Sequence, residues 1–270
     1  MTGLARWVAA LLLAGAGASL EAAPVEGFAL MAESDHFTHF AREKAKTDVG
    51  RREQQVVRLE KLLDVKLGRR VEYYSYVRPE EIQAVTGHYV AGYFYPSLGQ
   101  VHATPDAEAH EIVHLVAHEL GDPGPFFQEG LAVTLGNRGR MGGWPIDRVA
   151  RTLLHRLSPE ALEARFGSLQ SSWEAVAAAG SFVTWLNGRY GVSRVSAFFR
   201  ACAQTGRPVA FEATFGLPLG QALRGWAGSL GVRPSPEEPP TLIAQAEPAS
   251  ALSLPVAEPP AADDVPRPSR

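Results

Sequence analysis

The stretch from Thr104 to Pro125 separates two kinds of pattern, and any fold of this chain must accommodate it. Upstream lie short runs rich in aromatic and β-branched residues; downstream, apolar residues recur at helical spacing to about Leu230. Thr104-Pro105-Asp106 reads as a helix start, with Thr104 as the cap, Pro105 at the first position and Asp106 at the positive end of the dipole. Gly121, Pro123 and Pro125 stop that helix, which predicts a length of roughly 16 residues. Strands first and helices afterwards indicate an α+β architecture.

The upstream half resolves further. Ser34 to Ala41 alternates aromatic and polar residues in part and reads as a strand. Val49 to Leu67 carries Val56, Val57, Leu59, Leu62 and Leu63 at helical spacing, the mark of an amphipathic helix. Arg69 to Val77 reads as a strand and Pro79 to Val85 as a short helix opened by proline. Ala91 to Tyr95 and Gln100 to Thr104 read as two short strands joined by Pro-Ser-Leu-Gly. Lys and Arg outnumber acids between Arg42 and Arg70; the solvated face of the amphipathic helix accounts for this, and a binding patch is the other reading. No internal repeat is visible.

Both ends read as lying outside the fold. One positive charge, Arg6, precedes the apolar run Trp7 to Leu13 and then small residues, the layout of a secretory signal over 1–23. A retained N-terminal anchor is the other reading, although the run falls short of the ~20 residues a spanning helix needs. No cysteine follows the run, so lipoprotein processing is not expected. The segment 233–270 holds ten of the 20 prolines and no aromatic residue, and reads as a disordered tail. Its charges sum to the whole formal net charge of −3, so the expected domain, 24–232, is balanced. That balance argues against a nucleic-acid partner bound through bulk positive charge. Cys202 is the sole cysteine, so neither an intrachain disulfide nor a thiolate metal cluster is available.

Within the bounded helix, His110-Glu111-Ile112-Val113-His114 fits H-E-x-x-H. Residues four apart share a helix face, so both imidazoles can reach one metal ion, for which zinc is suited. Glu111, rotated about 100° from His110, sits beside such an ion and not on it. There it is placed to take a proton from a water whose pKa zinc lowers toward roughly 7. A turn then returns the chain as a second helix beginning Phe126-Phe127-Gln128-Glu129. Glu129, read as lying in its first turn, is positioned to supply a third, anionic ligand and leave a fourth position open.

These residues resemble the gluzincin branch of zinc metallopeptidases, in particular the peptidase MA-like proteins of bacterial secretomes. That family shows an H-E-x-x-H helix, a proline-containing turn and E-G-x-A, matched here by His110, Glu111, His114 and Glu129-Gly130-Leu131-Ala132. Val71 to Thr104 is similar to the family's sheet beside the active-site helix. Gly180-Ser-Phe-Val-Thr-Trp-Leu-Asn-Gly-Arg-Tyr-Gly191 resembles its G-S-F-V-x-x-L-x-x-x-Y-G helix, and Phe211 to Gly216 a later turn. The match spans 34–230. The resemblance implies a zincin-like fold, with a small N-terminal β-sheet beside the HExxH helix and a mostly helical C-terminal part. It also implies Zn²⁺ held by His110, His114 and Glu129, with Glu111 as the catalytic base. A metzincin would need Gly at 117 and His at 120, where this chain has Ala117 and Leu120.

Two positions depart from the family pattern. Many gluzincins place an acid four residues after the third ligand to orient a ligand histidine; here Val133 stands there. A tyrosine often shortly precedes G-S-F-V, where this chain has Glu174, Ala175 and Val176. Tyr89, Tyr93, Tyr95 and Tyr190 are the alternative transition-state donors, although most read as core or strand aromatics. His118 reads as a plain helix histidine, with a substrate-facing or ligand-orienting role, or metal ligation, as the alternatives. His88 and His102 read as structural, and Cys202 as a small buried hydrophobe.

The sequence therefore reads as an exported zinc metallopeptidase, secreted or periplasmic, acting on peptide or protein substrates. It is expected to be a monomer without a membrane span once the signal is removed. A catalytically silent zinc-binding module that recognises peptides or the cell envelope is one rival. A non-peptidase metallohydrolase acting on amide bonds of wall material is the other.

Overall fold

The computed structural model describes residues 25–42, 45, 48–169 and 172–232. The expected export signal over 1–23 and the proline-rich tail over 233–270 lie outside the described residues. No helix among the described residues is long and apolar enough to cross a membrane.

A small mixed sheet forms first and helices follow. β1 (Ala29–Glu33) pairs antiparallel with β2 (Phe37–Ala41). Helix α1 (Val49–Leu63) then crosses to β3 (Val71–Ser75), which lies parallel to β2. After α2 (Pro79–Thr86), β4 (Gly92–Tyr95) and β5 (Gln100–Ala103) form a hairpin whose second strand is parallel to β3. The strand order is β1-β2-β3-β5-β4, so β4 is an edge. Alternation assigns the two faces. Phe37, Tyr73 and Val101 point into the main core, whereas Phe40, Tyr74 and Tyr76 pack with Ile82 of α2 on the other side.

α1 ends earlier than its apolar pattern suggests. Asp64 adopts a left-handed conformation (φ 53°) and closes the helix four residues before Gly68. Its charged residues are mostly solvated, with two exceptions: Glu60 is buried and accepts from Lys66 and the Leu67 N–H, and Arg52 is 2% exposed and belongs to a buried network described below. β1, which sequence reasoning missed, has almost no buried residue, so pairing with β2 and not side-chain burial makes it a strand.

Next come α3 (Glu108–His118) and α4 (Pro125–Gly136), which pack on each other; α3 also packs on α1, β4 and β5. α3 is shorter than predicted, 11 residues, and Thr104 is not its cap. The backbone N–H and the hydroxyl of Thr104 both donate to the Ala91 carbonyl, at 2.8 and 2.9 Å, so Thr104 belongs to the end of the β-hairpin. Ala107 takes the cap position, and the dipole is matched by Glu108 and Glu111 where Asp106 was expected.

A second small hairpin interrupts the stretch predicted to be wholly helical. β6 (Arg140–Met141) and β7 (Trp144–Pro145) are joined by Gly142-Gly143, both with positive φ, the conformation a two-residue turn demands. α5 (Ile146–Leu154), α6 (Pro159–Ala164) and α7 (Phe166–Leu169) follow, then the long α8 (Trp173–Tyr190). α9 (Val192–Thr205), α10 (Arg207–Phe215) and α11 (Leu219–Ser229) complete the helical part. Its core is aromatic, with Phe127 edge-on to Phe198 and Phe182 edge-on to Trp226. α4 and α8 approach closely because Gly130 and Gly180 lack side chains. A Cβ at Gly130 would fall 2.5 Å from Val183 Cγ2, and one at Gly180 would collide with Val133.

Candidate metal centre

α3 is apolar on nearly every side. Ile112, Val113, Leu115, Val116 and Ala117 are buried, and the stripe left partly open carries His110 and His114. α4 is anchored by Pro125 at its first position and by the buried Phe126 and Phe127, and it presents Glu129 to that stripe. Glu129 is the fifth residue of α4, just past the expected first-turn position, because Pro125 and not Phe126 opens the helix.

The three side chains converge. Nε2 of His110 and Nε2 of His114 are 3.1 Å apart. Glu129 Oε2 lies 3.2 Å from His110 Nε2, and Oε1 lies 3.5 Å from His114 Nε2. One donor atom from each of the three falls within 4.8 Å of the others. Ligands about 2.0–2.1 Å from a tetrahedral zinc are about 3.3 Å from each other, so these separations fit the edges of such a site. With 15%, 16% and 28% of their side chains exposed, the three remain open to solvent on one side.

Charge within the cluster is strongly coupled. Burial alone would lower the His110 pKa, but the Glu129 carboxylate, the Glu111 charge and Asn137 carry it up to about 9. Burial works against ionised Glu129, yet hydrogen bonds from His110 and His114 hold its carboxyl well below the ordinary range. A bound cation would take over the role these protons play.

Glu111 points elsewhere. Its carboxylate lies against β4, where a Cβ at Gly92 would fall 2.5 Å from Glu111 Cγ and 2.6 Å from Oε1. Only glycine leaves room for it there. Burial pushes the Glu111 carboxyl up, with the two imidazoles opposing the shift.

Two supports of the site were not legible in the sequence. Asn137, immediately after α4, places Oδ1 3.2 Å from His110 Nδ1. With Nδ1–H engaged there, Nε2 is the ring nitrogen that faces the cluster. The position expected to be acidic, Val133, is turned into the α4–α8 contact at Gly180 and is fully buried. The second support is Arg52 of α1, whose Nε donates to Glu108 at 2.8 Å and fixes the start of α3. Its guanidinium also lies 3.9 Å over the Tyr73 ring and donates to His39 Nδ1 at 3.2 Å.

The other histidines stand apart from the cluster. His118 is exposed and edge-on to Phe94. His102 is buried, stacked on Tyr74 and hydrogen-bonded to Tyr76. His88 stacks on Tyr93 at the surface. Among the tyrosines, Tyr93 and Tyr95 lie on the sheet face opposite α3, Tyr95 edge-on to His102. Tyr89 is bonded to Glu80 of α2, and Tyr190 packs on Phe215 at the far end of α8.

No protein-family model and no curated protein matches the chain. The structure of an M1 zinc metallopeptidase from Deinococcus radiodurans is similar, with a TM-score of 0.47 and 15% identity over 77% of this chain and 52% of that one. The structure of a point mutant of that enzyme gives 0.45 and 14% over the same shares. The chain thus spans about half the length of that enzyme.

Proposed function

We propose that the chain is a zinc metallopeptidase of the gluzincin type, with His110, His114 and Glu129 as the metal ligands and Glu111 as the general base. The observation that carries this reading is the convergence of two imidazoles and one carboxylate at tetrahedral spacing. Two neutral nitrogens and one anionic oxygen form a donor set suited to zinc that leaves a position open. A zinc ion held there would supply Lewis-acid polarisation of a carbonyl and a water acidified toward neutral pH.

The chain's own residues do the rest. Asn137 and the α3–α4 contact hold the ligands in place, so little reorganisation accompanies metal binding. Glu111, buried beside the cluster, accepts the proton of the attacking water and passes it to the leaving amine nitrogen. β4 is a sheet edge with no partner on its outer side among the described residues. An extended peptide can add to that edge through main-chain hydrogen bonds and so lie across Glu111. The division into a signal over 1–23, a catalytic domain over 24–232 and a tail over 233–270, and export of a monomeric enzyme, belong to the same proposal.

The test is a Glu111→Gln variant. It should retain one zinc per chain by metal analysis and lose at least about 10²-fold of casein cleavage, the scale of a general base. Cleavage equal to that of the parent would remove the mechanism. Glu129→Ala should lose the metal itself.

A further inference from the structure

Two of the chain's five tryptophans line one cleft. Trp144 of β7 is 48% exposed and Trp173, the first residue of α8, is 44% exposed. The cleft encloses about 250 Å³, with Val149 and Leu153 of α5 in its lining and Arg148 and Arg156 beside them. Large aromatic surfaces left half in water around a concavity mark an interaction site more often than scattered exposed residues do.

The charges define the ligand. Arg148 lies over the Trp144 ring at 4.6 Å, which orders its guanidinium and leaves donor edges free. Among the described residues, neither Arg148 nor Arg156 has a carboxylate within ion-pair distance. The one acid in the lining, Glu174, accepts from Ser172 Oγ at 2.8 Å. The cleft therefore offers two guanidinium groups beside two half-exposed indole rings, complementary to carboxylates flanking an apolar ring.

The cleft and the metal centre hang from the same turn. The Arg140 N–H donates to the Asn137 carbonyl at 3.1 Å, while the Asn137 side chain meets His110. Arg140 opens the hairpin whose second strand begins with Trp144. We propose that this cleft is a second docking site, which takes an acidic, aromatic-bearing stretch of the polypeptide substrate outside the metal centre. That the ligand is substrate rests on the peptidase reading; that the cleft binds acidic peptide does not.

The experiment separates the two. A capped hexapeptide of alternating Glu and Phe is titrated into metal-free Glu111→Gln protein, with tryptophan fluorescence and calorimetry as readouts. Matching peptides with Gln or Lys in place of Glu are titrated in parallel. The Glu peptide should bind roughly 10-fold tighter than the Gln peptide, the scale of one charge-assisted contact, and weaken with added salt. Arg156→Ala, in an exposed side chain, should cost about the same factor, as should Arg148→Ala. Trp173→Ala should weaken all three peptides. Equal binding of the Glu and Lys peptides, or unchanged affinity in Arg156→Ala, overturns the proposal. If the Glu peptide binds as expected but Glu111→Gln leaves casein cleavage intact, the docking site stands and the substrate role falls.

Discussion

Asn137 Oδ1 stands 3.2 Å from His110 Nδ1, where a neutral amide does the work for which a carboxylate is usual. The amide fixes the ring and its tautomer but adds no negative charge. Removing it should free the ring to rotate. Asn137→Ala is expected to weaken zinc binding by about 10–100-fold, read by competition with a chromophoric chelator. Asn137→Asp, of nearly the same shape, should bind zinc more tightly than the parent. If Asn137→Ala binds zinc as the parent does, Asn137 plays no part in orienting the ligand.

Val133 offers the complementary test. A sequence comparison alone would suggest restoring an acid there to support a ligand histidine. Val133 is fully buried and pressed against Gly180 of α8, so Val133→Asp would place an unpaired carboxylate in an apolar helix contact. It should destabilise the fold by about 3 kcal/mol or more without tightening zinc. Urea unfolding and the chelator assay read the two effects separately. Tighter zinc binding in Val133→Asp would show that α4 can turn its face toward His110.

Gly92 should matter to catalysis and not to the metal. A methyl group there meets Glu111 Cγ at 2.5 Å, and the side chain must move. Because His110, His114 and Glu129 lie off that contact, Gly92→Ala should keep its zinc while kcat falls about 10-fold or more. Metal analysis alongside steady-state kinetics decides this, and unchanged kcat would refute the role of β4 in positioning the base.

What the sequence made legible is what short-range spacing controls. The i, i+4 relation of His110 and His114 follows from helix geometry. The Gly121 to Pro125 punctuation compels a turn that brings Glu129 back. What it hid depends on which partner wins a competition between elements. Thr104 has the credentials of a cap, but the hairpin claims it through Ala91. Val133 sits where the resemblance led to the expectation of an acid, but Gly180 lets α8 come close enough to occupy that face. Asn137 was invisible because its role needs the end of α4 to lie against the start of α3, as the contact of Gly136 with Ala109 and His110 shows. Arg52 looked like one more solvated cation until Glu108, 56 residues away, supplied its partner.

The sheet carries a pH dependence of its own. Burial, joined by the Arg52 charge, lowers the His39 pKa to about 4, and burial lowers that of His102 to about 4. Both imidazoles are thus neutral when folded, while in the unfolded chain they titrate near 6.5. For His39 the bonding agrees, since Arg52 can only donate to Nδ1, which leaves Nε2–H to meet Ser34 Oγ at 3.0 Å. With the folded pKa depressed, the unfolded state binds more protons below pH 6.5. Stability is therefore full above that value and falls as the pH drops toward 4. Between pH 6 and 5 the pair should cost about 2 kcal/mol per pH unit, measured by urea unfolding. Replacing His102 by Phe keeps a ring on Tyr74 and should halve that slope, whatever it does to stability at pH 7. A slope unaltered by His102→Phe would mean that His102 is already protonated in the folded protein.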